Sequence, residues 1–315
     1  MNLIDVTLRD GGHQLDFDWS DEFLKKYIPT VSQVEEVDYV ELGYWSQTAK
    51  SRNRFYNMKP NDLENLVTMG LTKPASVMLD YHYCSHDYNN YESEAFRRNV
   101  ALVRLCSRRE DIKEAASFCR NLIDRLDIKI SLNFFNITNY NKEEIEYCIE
   151  NGKDAGATFL YFADTHGALD LHKNGKAFGD YAKMIEDNGM IPGLHLHDHS
   201  GKAYMNYRLG IDLGFQSFDF SVGGMGKGVG NLKMEHVINP LTNLELLDFL
   251  EEEQLLRMPV LTPGLVTSAL SATDYYAVYA KNLGMKSSAL FDLLKAKTSS
   301  ERDIFDESIL FESKQ

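Results

Sequence analysis

Cysteine is scarce. Only Cys84, Cys106, Cys119 and Cys148 occur in 315 residues, none in a Cys-x-x-Cys pair and all in apolar or helical contexts. They read as reduced structural thiols of a cytoplasmic protein. No apolar run approaches the length needed to span a membrane. The opening Met1-Asn2-Leu3-Ile4-Asp5-Val6 runs straight into a strand pattern, without the basic region, apolar stretch and cleavage site of a secretory leader. Positive charge is in deficit, with 33 Lys and Arg against 47 Asp and Glu and a net charge of −14. That disfavours nucleic acid and anionic membrane as main partners. Small anionic substrates stay open, because they respond to local charge. Core-forming residues are not lacking: 43% of the chain is hydrophobic and 25% charged, a soluble globular composition. The length suits one large barrel or two ordinary domains.

Apolar, β-rich runs recur at Leu3–Leu8, Tyr39–Leu42, Ser76–Leu79, Val100–Leu105, Ile128–Asn133, Thr158–Phe162, Ile191–His197 and Ser217–Val222. Helical patterns fall between them at Ser20–Tyr27, Asn61–Met69, Ser107–Leu126, Lys142–Gly152, Lys173–Asn188 and Gly201–Leu213. The spacing of roughly 30 residues is that of a strand-plus-helix unit. The runs are continuous rather than alternating, as for strands buried on both faces of a parallel sheet. The pattern predicts an α/β fold, a (β/α)8 TIM barrel over residues 1–235. A doubly wound sheet would want fewer strands and a Gly-rich first turn, which is missing. The polar and aromatic stretch from Tyr81 to Asn99 reads as a loop over the barrel mouth. Residues 236–315 turn wholly helical (Leu244–Leu256, Thr267–Leu283, Ser287–Lys297). They form a helical extension expected to pack on the barrel and to offer a face for a homo-oligomer or other partner.

Chemistry in such a barrel belongs at the C-terminal strand ends. In Gly193-Leu194-His195-Leu196-His197 alternation on an extended backbone points both imidazoles to one side. An isolated His-x-His is as often one core and one surface histidine. The other strand ends supply Arg9-Asp10-Gly11-Gly12-His13, Glu41, Arg104, Asn133, Asp164-Thr165 and the glycine run Gly223 to Asn231. Polar groups at so many strand ends are not what a packed core would place there. Asp10, His195 and His197, with Asn231 adding a carbonyl oxygen, would leave open positions on an octahedral divalent ion such as Mn²⁺ or Mg²⁺, with Zn²⁺ less favoured. Such an ion can chelate a 2-oxo acid and act as Lewis acid for its enolate. Arg9 would place fixed positive charge at the enolate oxygen, or simply pair with Asp10 or Glu41. His13, past the double glycine, can swing to a substrate hydroxyl as general base, or be a surface loop histidine. Glu41, Arg104, Asn133, Asp164, Thr165 and Lys227 are the candidate substrate contacts, although for Asp164 and Thr165 a cap on the following helix is the preferred reading. His166 and His199 are left open, with supporting or solvent-facing roles preferred to ligation.

The segments TLRDGGHQ, ADTHGAL, GLHLHDHSGKAYMN and GGMGKGVGN, in this order, resemble the metal-dependent lyase superfamily. It includes 4-hydroxy-2-oxovalerate aldolase, HMG-CoA lyase and isopropylmalate synthase, the pyruvate carboxyltransferase or DRE-TIM group. The resemblance implies that Asp10, His195 and His197 bind the metal and that Arg9 stabilises an enolate. A histidine three residues after the aspartate looks like the hydroxy-oxo-acid aldolases, where it is the catalytic base. The lyase's cysteine in the final glycine loop is missing, since Met225 and Lys227 flank Gly226. The activity so implied is that of a class II aldolase cleaving a 4-hydroxy-2-oxo acid to pyruvate and an aldehyde. The alternatives are a Claisen-type acyl-CoA and 2-oxo acid synthase and a non-catalytic metabolite-binding barrel. Those aldolases also dock an aldehyde dehydrogenase, but through a domain longer than the extension here.

Overall fold

A computed structural model of the chain describes residues 1–45, 53–228 and 230–238. Within these, parallel strands follow one another in sequence order and close on themselves: β1 (Asn2–Asp5), β2 (Tyr39–Tyr44), β3 (Ala75–Asp80), β4 (Val100–Ser107), β5 (Lys129–Phe134), β6 (Phe159–Asp164), β7 (Ile191–Leu196) and β8 (Ser217–Phe220). β1 lies between β2 and β8, with Asn2 beside Ser217 and Asp5 beside Phe220. Helices occupy the return paths: α2 (Asp21–Ser32), α3 (Pro60–Thr68), α4 (Glu94–Asn99), α5 (Ile112–Leu126), α6 (Lys142–Ala155), α7 (Leu171–Asp187) and α8 (Ala203–Asp212). One more, α1 (Thr7–Leu15), directly follows β1. The barrel expected from the strand spacing is the fold of the described chain.

Local chemistry explains the elements. α5 buries Ile112, Ala115, Ala116, Cys119 and Leu122, the stripe that a 3.6-residue period turns inward. α6 begins with a capping box between Asn141 and Glu144 and ends at Gly156, whose φ of 76° suits a residue without Cβ. The strands bury both faces. Their outward side chains join the helices in the main core, while Ile4, Val6, Tyr39, Leu102, Phe159 and Tyr161 fill the inside of the ring. Gly193 makes room for that filling, since a Cβ there would lie 2.4 Å from the Tyr161 ring.

Two expectations change. β1 stops at Asp5, and Thr7–Leu15 is helix rather than strand end and loop. Asp5 turns the chain by accepting the Thr7 N–H at 3.0 Å and its hydroxyl at 2.5 Å, with Tyr27 donating to the other carboxylate oxygen. Gly11 and Gly12 serve close packing inside α1: a Cβ on Gly12 would meet the Phe17 ring at 2.4 Å, and one on Gly11 would meet Met225 at 3.1 Å. The Tyr81–Asn99 stretch does not arch over the mouth. Its Tyr81, His86, Tyr88 and Tyr91 rings pack against Phe118 of α5, and it ends in α4. The helices expected beyond Ile238, and so nearly all of the 236–315 extension, lie outside the described residues. No helix among the described residues is long and apolar enough to cross a membrane.

Candidate metal centre and active site

α1 sets Asp10 over the mouth from the β1 side, and the end of β7, two strands away round the ring, brings His195 and His197 to it. The Nε2 atoms of the two histidines are 3.0 Å apart and stand 3.8 and 3.6 Å from Asp10 Oδ2. Among the described residues these three alone form a buried group of metal-ligating side chains, their donor atoms within 4.8 Å of one another. Asn231 joins them from the glycine loop, donating through Nδ2 to Asp10 Oδ2 at 2.7 Å and to the Met225 carbonyl at 3.0 Å. Burial opposes ionisation of Asp10, but the neighbouring Arg9 and the His197 and His195 rings outweigh it. They hold the carboxyl well below its usual range, so it is an anion.

A chain of buried charges runs beneath. Arg9 donates through Nη1 to Asp10 and through Nε to Glu41, both at 2.6 Å. Glu41 lies 3.3 Å from Arg104 Nη1, and Arg104 Nη2 donates to Asp219 Oδ2 at 2.6 Å. The same Asp219 oxygen meets His195 Nδ1 at 2.8 Å. Asp10, Glu41 and Asp219 thus share two guanidiniums, Arg9 and Arg104, in a nearly buried chain of charges. Asn231 Oδ1 and His197 Nδ1 are among the buried atoms there that lack hydrogen-bond partners among the described residues, with Glu41 Oε1, Asp219 Oδ1 and Arg104 Nε and Nη1 in the chain beneath. Space is kept too, since a Cβ on Gly226 would come 2.5 Å from Asn231 Nδ2 and 2.8 Å from Asp10 Oδ2. A carboxylate, two imidazoles and an amide oxygen, with no sulfur, suit a divalent cation of the Mn²⁺ or Mg²⁺ kind. The residues fit a metal.

His13 stands in the last turn of α1, its Nε2 3.4 Å from the Tyr44 hydroxyl and 4.0 Å from Asp10 Oδ1. Its ring is wedged edge-on against Phe17, so a rigid helix presents it and no loop swings it. Burial lowers its pKa; Asp10 pulls the other way, while Lys227, Arg9 and His197 add to the decrease. The ring is therefore neutral near pH 7. Lys227 acts on His13, His166, His197 and His199 alike, which puts its charge at the mouth. Glu41 and Arg104 belong to the buried chain, where no solvent reaches either side chain. The remaining expected contacts are bonded to other groups of the barrel. Asn133 takes the Ser131 hydroxyl, Thr165 Oγ1 takes the Asn136 N–H, and Asp164 accepts Ala168 N–H at 2.7 Å and Leu169 N–H at 3.0 Å. Asp164 thus braces the turn after β6 and does not cap α7, whose N-cap is Asp170. Sequence reasoning missed Asp219. Its signal was an acidic residue inside the otherwise apolar Ser217–Phe220 strand.

His166 carries a pH prediction. Burial, with His197 and Lys227, lowers its pKa to about 4, below the unfolded value near ~6.5. The unfolded chain then binds more protons between these values. His166 contributes its full share of stability above pH ~6.5 and loses it as pH falls toward 4. His166→Gln should flatten the decline of unfolding free energy over that window in chemical denaturation; an unchanged slope contradicts the assignment.

Comparisons with known proteins bear on the fold and the family. The chain is 29% identical over 250 residues to 2-isopropylmalate synthase of Aquifex aeolicus, covering 76% of this chain and 46% of that enzyme. It is 17% identical to oxaloacetate decarboxylase of Mycobacterium tuberculosis, over 76% of this chain and 69% of that one. The chain thus spans about half the length of the synthase. Among solved structures, the N-terminal domain of a putative aldolase from Bacteroides vulgatus superposes with a TM-score of 0.66 at 19% identity, covering 89% of this chain and all of that one. The carboxyl transferase domain of Rhizobium etli pyruvate carboxylase superposes at 0.67 and 13%, covering 94% and 55%. These likenesses establish the fold. The HMGL-like family model matches residues 1–259, and the chain belongs to that family.

Proposed function

We propose that this protein is a divalent-metal-dependent carbon–carbon lyase, an aldolase that cleaves a 4-hydroxy-2-oxo acid to pyruvate and an aldehyde. The observation that carries the reading is His13: a neutral imidazole, 4.0 Å from the Asp10 carboxylate, held by a helix beside the candidate cation site. When bound, the divalent ion supplies Lewis-acid polarisation of the 2-oxo acid's oxygens. The chain's own groups do the rest. Neutral His13 accepts the 4-hydroxyl proton, and the C3–C4 bond breaks as C4 becomes the aldehyde carbonyl. The bonding pair moves into the enolate of pyruvate, whose negative oxygen faces the fixed Arg9 guanidinium. A proton from water at C3 then gives pyruvate, and His13 returns the proton it accepted to solvent. Glu41, bonded to Arg9 at 2.6 Å, keeps the guanidinium in place between turnovers.

The synthase names among the curated relatives favour a second reading, Claisen-type condensation of an acyl-CoA with a 2-oxo acid. One experiment decides between them. With Mn²⁺ or Mg²⁺ present, release of pyruvate from 4-hydroxy-2-oxo acids supports the aldolase. Release of free CoA from acyl-CoA plus a 2-oxo acid, with no pyruvate from the first mixture, supports the synthase. His13→Ala should lower kcat of the aldol cleavage by roughly 10²–10⁴-fold while Mn²⁺ binding, measured by titration calorimetry, stays unchanged. Equal loss of both would remove His13 from the role of base.

A further inference from the structure

Asp219, wholly buried in β8, receives two donors on one oxygen, Arg104 Nη2 at 2.6 Å and His195 Nδ1 at 2.8 Å. An ionised carboxylate can only accept hydrogen bonds. Arg104 keeps Asp219 ionised, because a guanidinium holds its charge at any pH the fold survives. The 2.8 Å contact is therefore a donation by His195 Nδ1–H. A neutral imidazole with its proton on Nδ1 has its lone pair on Nε2, and His195 Nε2 is the atom that faces Asp10 Oδ2 and His197 Nε2. His197 lacks this device, since its Nδ1 has no hydrogen-bond partner among the described residues.

We propose that Asp219 is the positioning residue that selects the Nδ1–H tautomer of His195, so that Nε2 is presented lone pair first to a divalent cation. This deepens the reading of Asp10, His195 and His197 as a metal centre and rests on it. Arg104 is part of the device. It cancels the cost of burying Asp219 and prevents the carboxyl from protonating and reversing the polarity of the bond. Through Glu41, 3.3 Å from Arg104 and 2.6 Å from Arg9, the same carboxylate also anchors the group that faces the enolate. A partner of this kind sets both the tautomer and the basicity of a ligating histidine, and its loss typically weakens metal binding by roughly 10–100-fold.

The test uses the whole chain and Mn²⁺ alone as ligand. Asp219→Asn keeps an acceptor oxygen but loses the charge, and Mn²⁺ affinity should fall by about 10-fold, the lower end of that range. The double variant Asp219→Leu with Arg104→Met replaces the buried pair by apolar volume, which preserves folding better than removing one partner. Its affinity should fall by roughly 100-fold. Nitrogen-15 NMR of histidine-labelled apo protein reads the tautomer directly: His195 protonated at Nδ1 in the wild type, and an Nε2–H population in the double variant. A wild-type His195 protonated at Nε2, or a folded double variant with wild-type Mn²⁺ affinity, overturns the proposal. A wild type that binds no Mn²⁺ overturns the metal reading instead, and the apo tautomer still decides the role of Asp219.

Discussion

Loss of the Asp10 carboxylate is expected to weaken Mn²⁺ binding by more than roughly 100-fold, beyond the cost of losing an outer partner such as Asp219. Asp10 is the one formal negative charge among the candidate donors, and the adjacent Arg9 guanidinium, 2.6 Å away, holds it ionised. Asp10→Ala is the informative change. An asparagine there would turn an amide N–H toward Asn231 Nδ2, which now donates to Asp10 Oδ2 at 2.7 Å, or toward Arg9, setting donor against donor. In Asp10→Ala the Arg9 side chain keeps Glu41 as counter-charge, so the barrel should fold. Changing His195 and His197 together to Gln should also abolish binding, since both Nε2 lone pairs go. Calorimetric titration with Mn²⁺ checks both variants, and full retention of affinity in the histidine pair variant would remove His195 and His197 from the metal centre.

Arg9→Lys should lower kcat by about 10²–10³-fold, the scale set by removing one preorganised group that stabilises a developing oxyanion. The change keeps the charge and discards the fork. A guanidinium can serve Asp10 through Nη1 and Glu41 through Nε at once, both at 2.6 Å, whereas an ammonium is a point charge on a flexible stem. The lysine would relax toward one carboxylate or the other and leave the place where the enolate oxygen develops. Mn²⁺ affinity and KM should change far less than kcat, because the interaction strengthens only as the bond breaks. Steady-state kinetics on the cleavage reaction provides the test. A variant with kcat within about 3-fold of wild type would mean that Arg9 serves the buried charge chain alone.

The barrel could be read from the sequence because its strands are buried on both faces and so appear as uninterrupted apolar runs. Asp10, His195, His197 and Asn231 could be read because polar residues at the ends of such runs contradict a packed core. The helical state of Thr7–Leu15 was hidden by Gly11 and Gly12, which locally signal a loop. Their reason is tertiary, the close approach of Phe17 and Met225. Arg104 looked like a substrate contact because no local pattern reveals its partner Asp219, 115 positions away. The brace made by Asp164 was equally concealed, since a turn, a cap and a ligand use the same carboxylate.

The hydrogen bond from Asn231 to Asp10 links positions 221 residues apart, and the strands beside them, β1 and β8, form the last joint of the ring. Contacts of such separation carry the largest loop entropy and raise contact order, so they are expected to assemble late in folding. An ion seated between Asp10 and the groups of β7 and the glycine loop would work as a clasp across that seam. At a free concentration of about 100 times Kd it would add roughly 2.7 kcal/mol to the folded state, felt first as slower hydrogen exchange in the terminal strands.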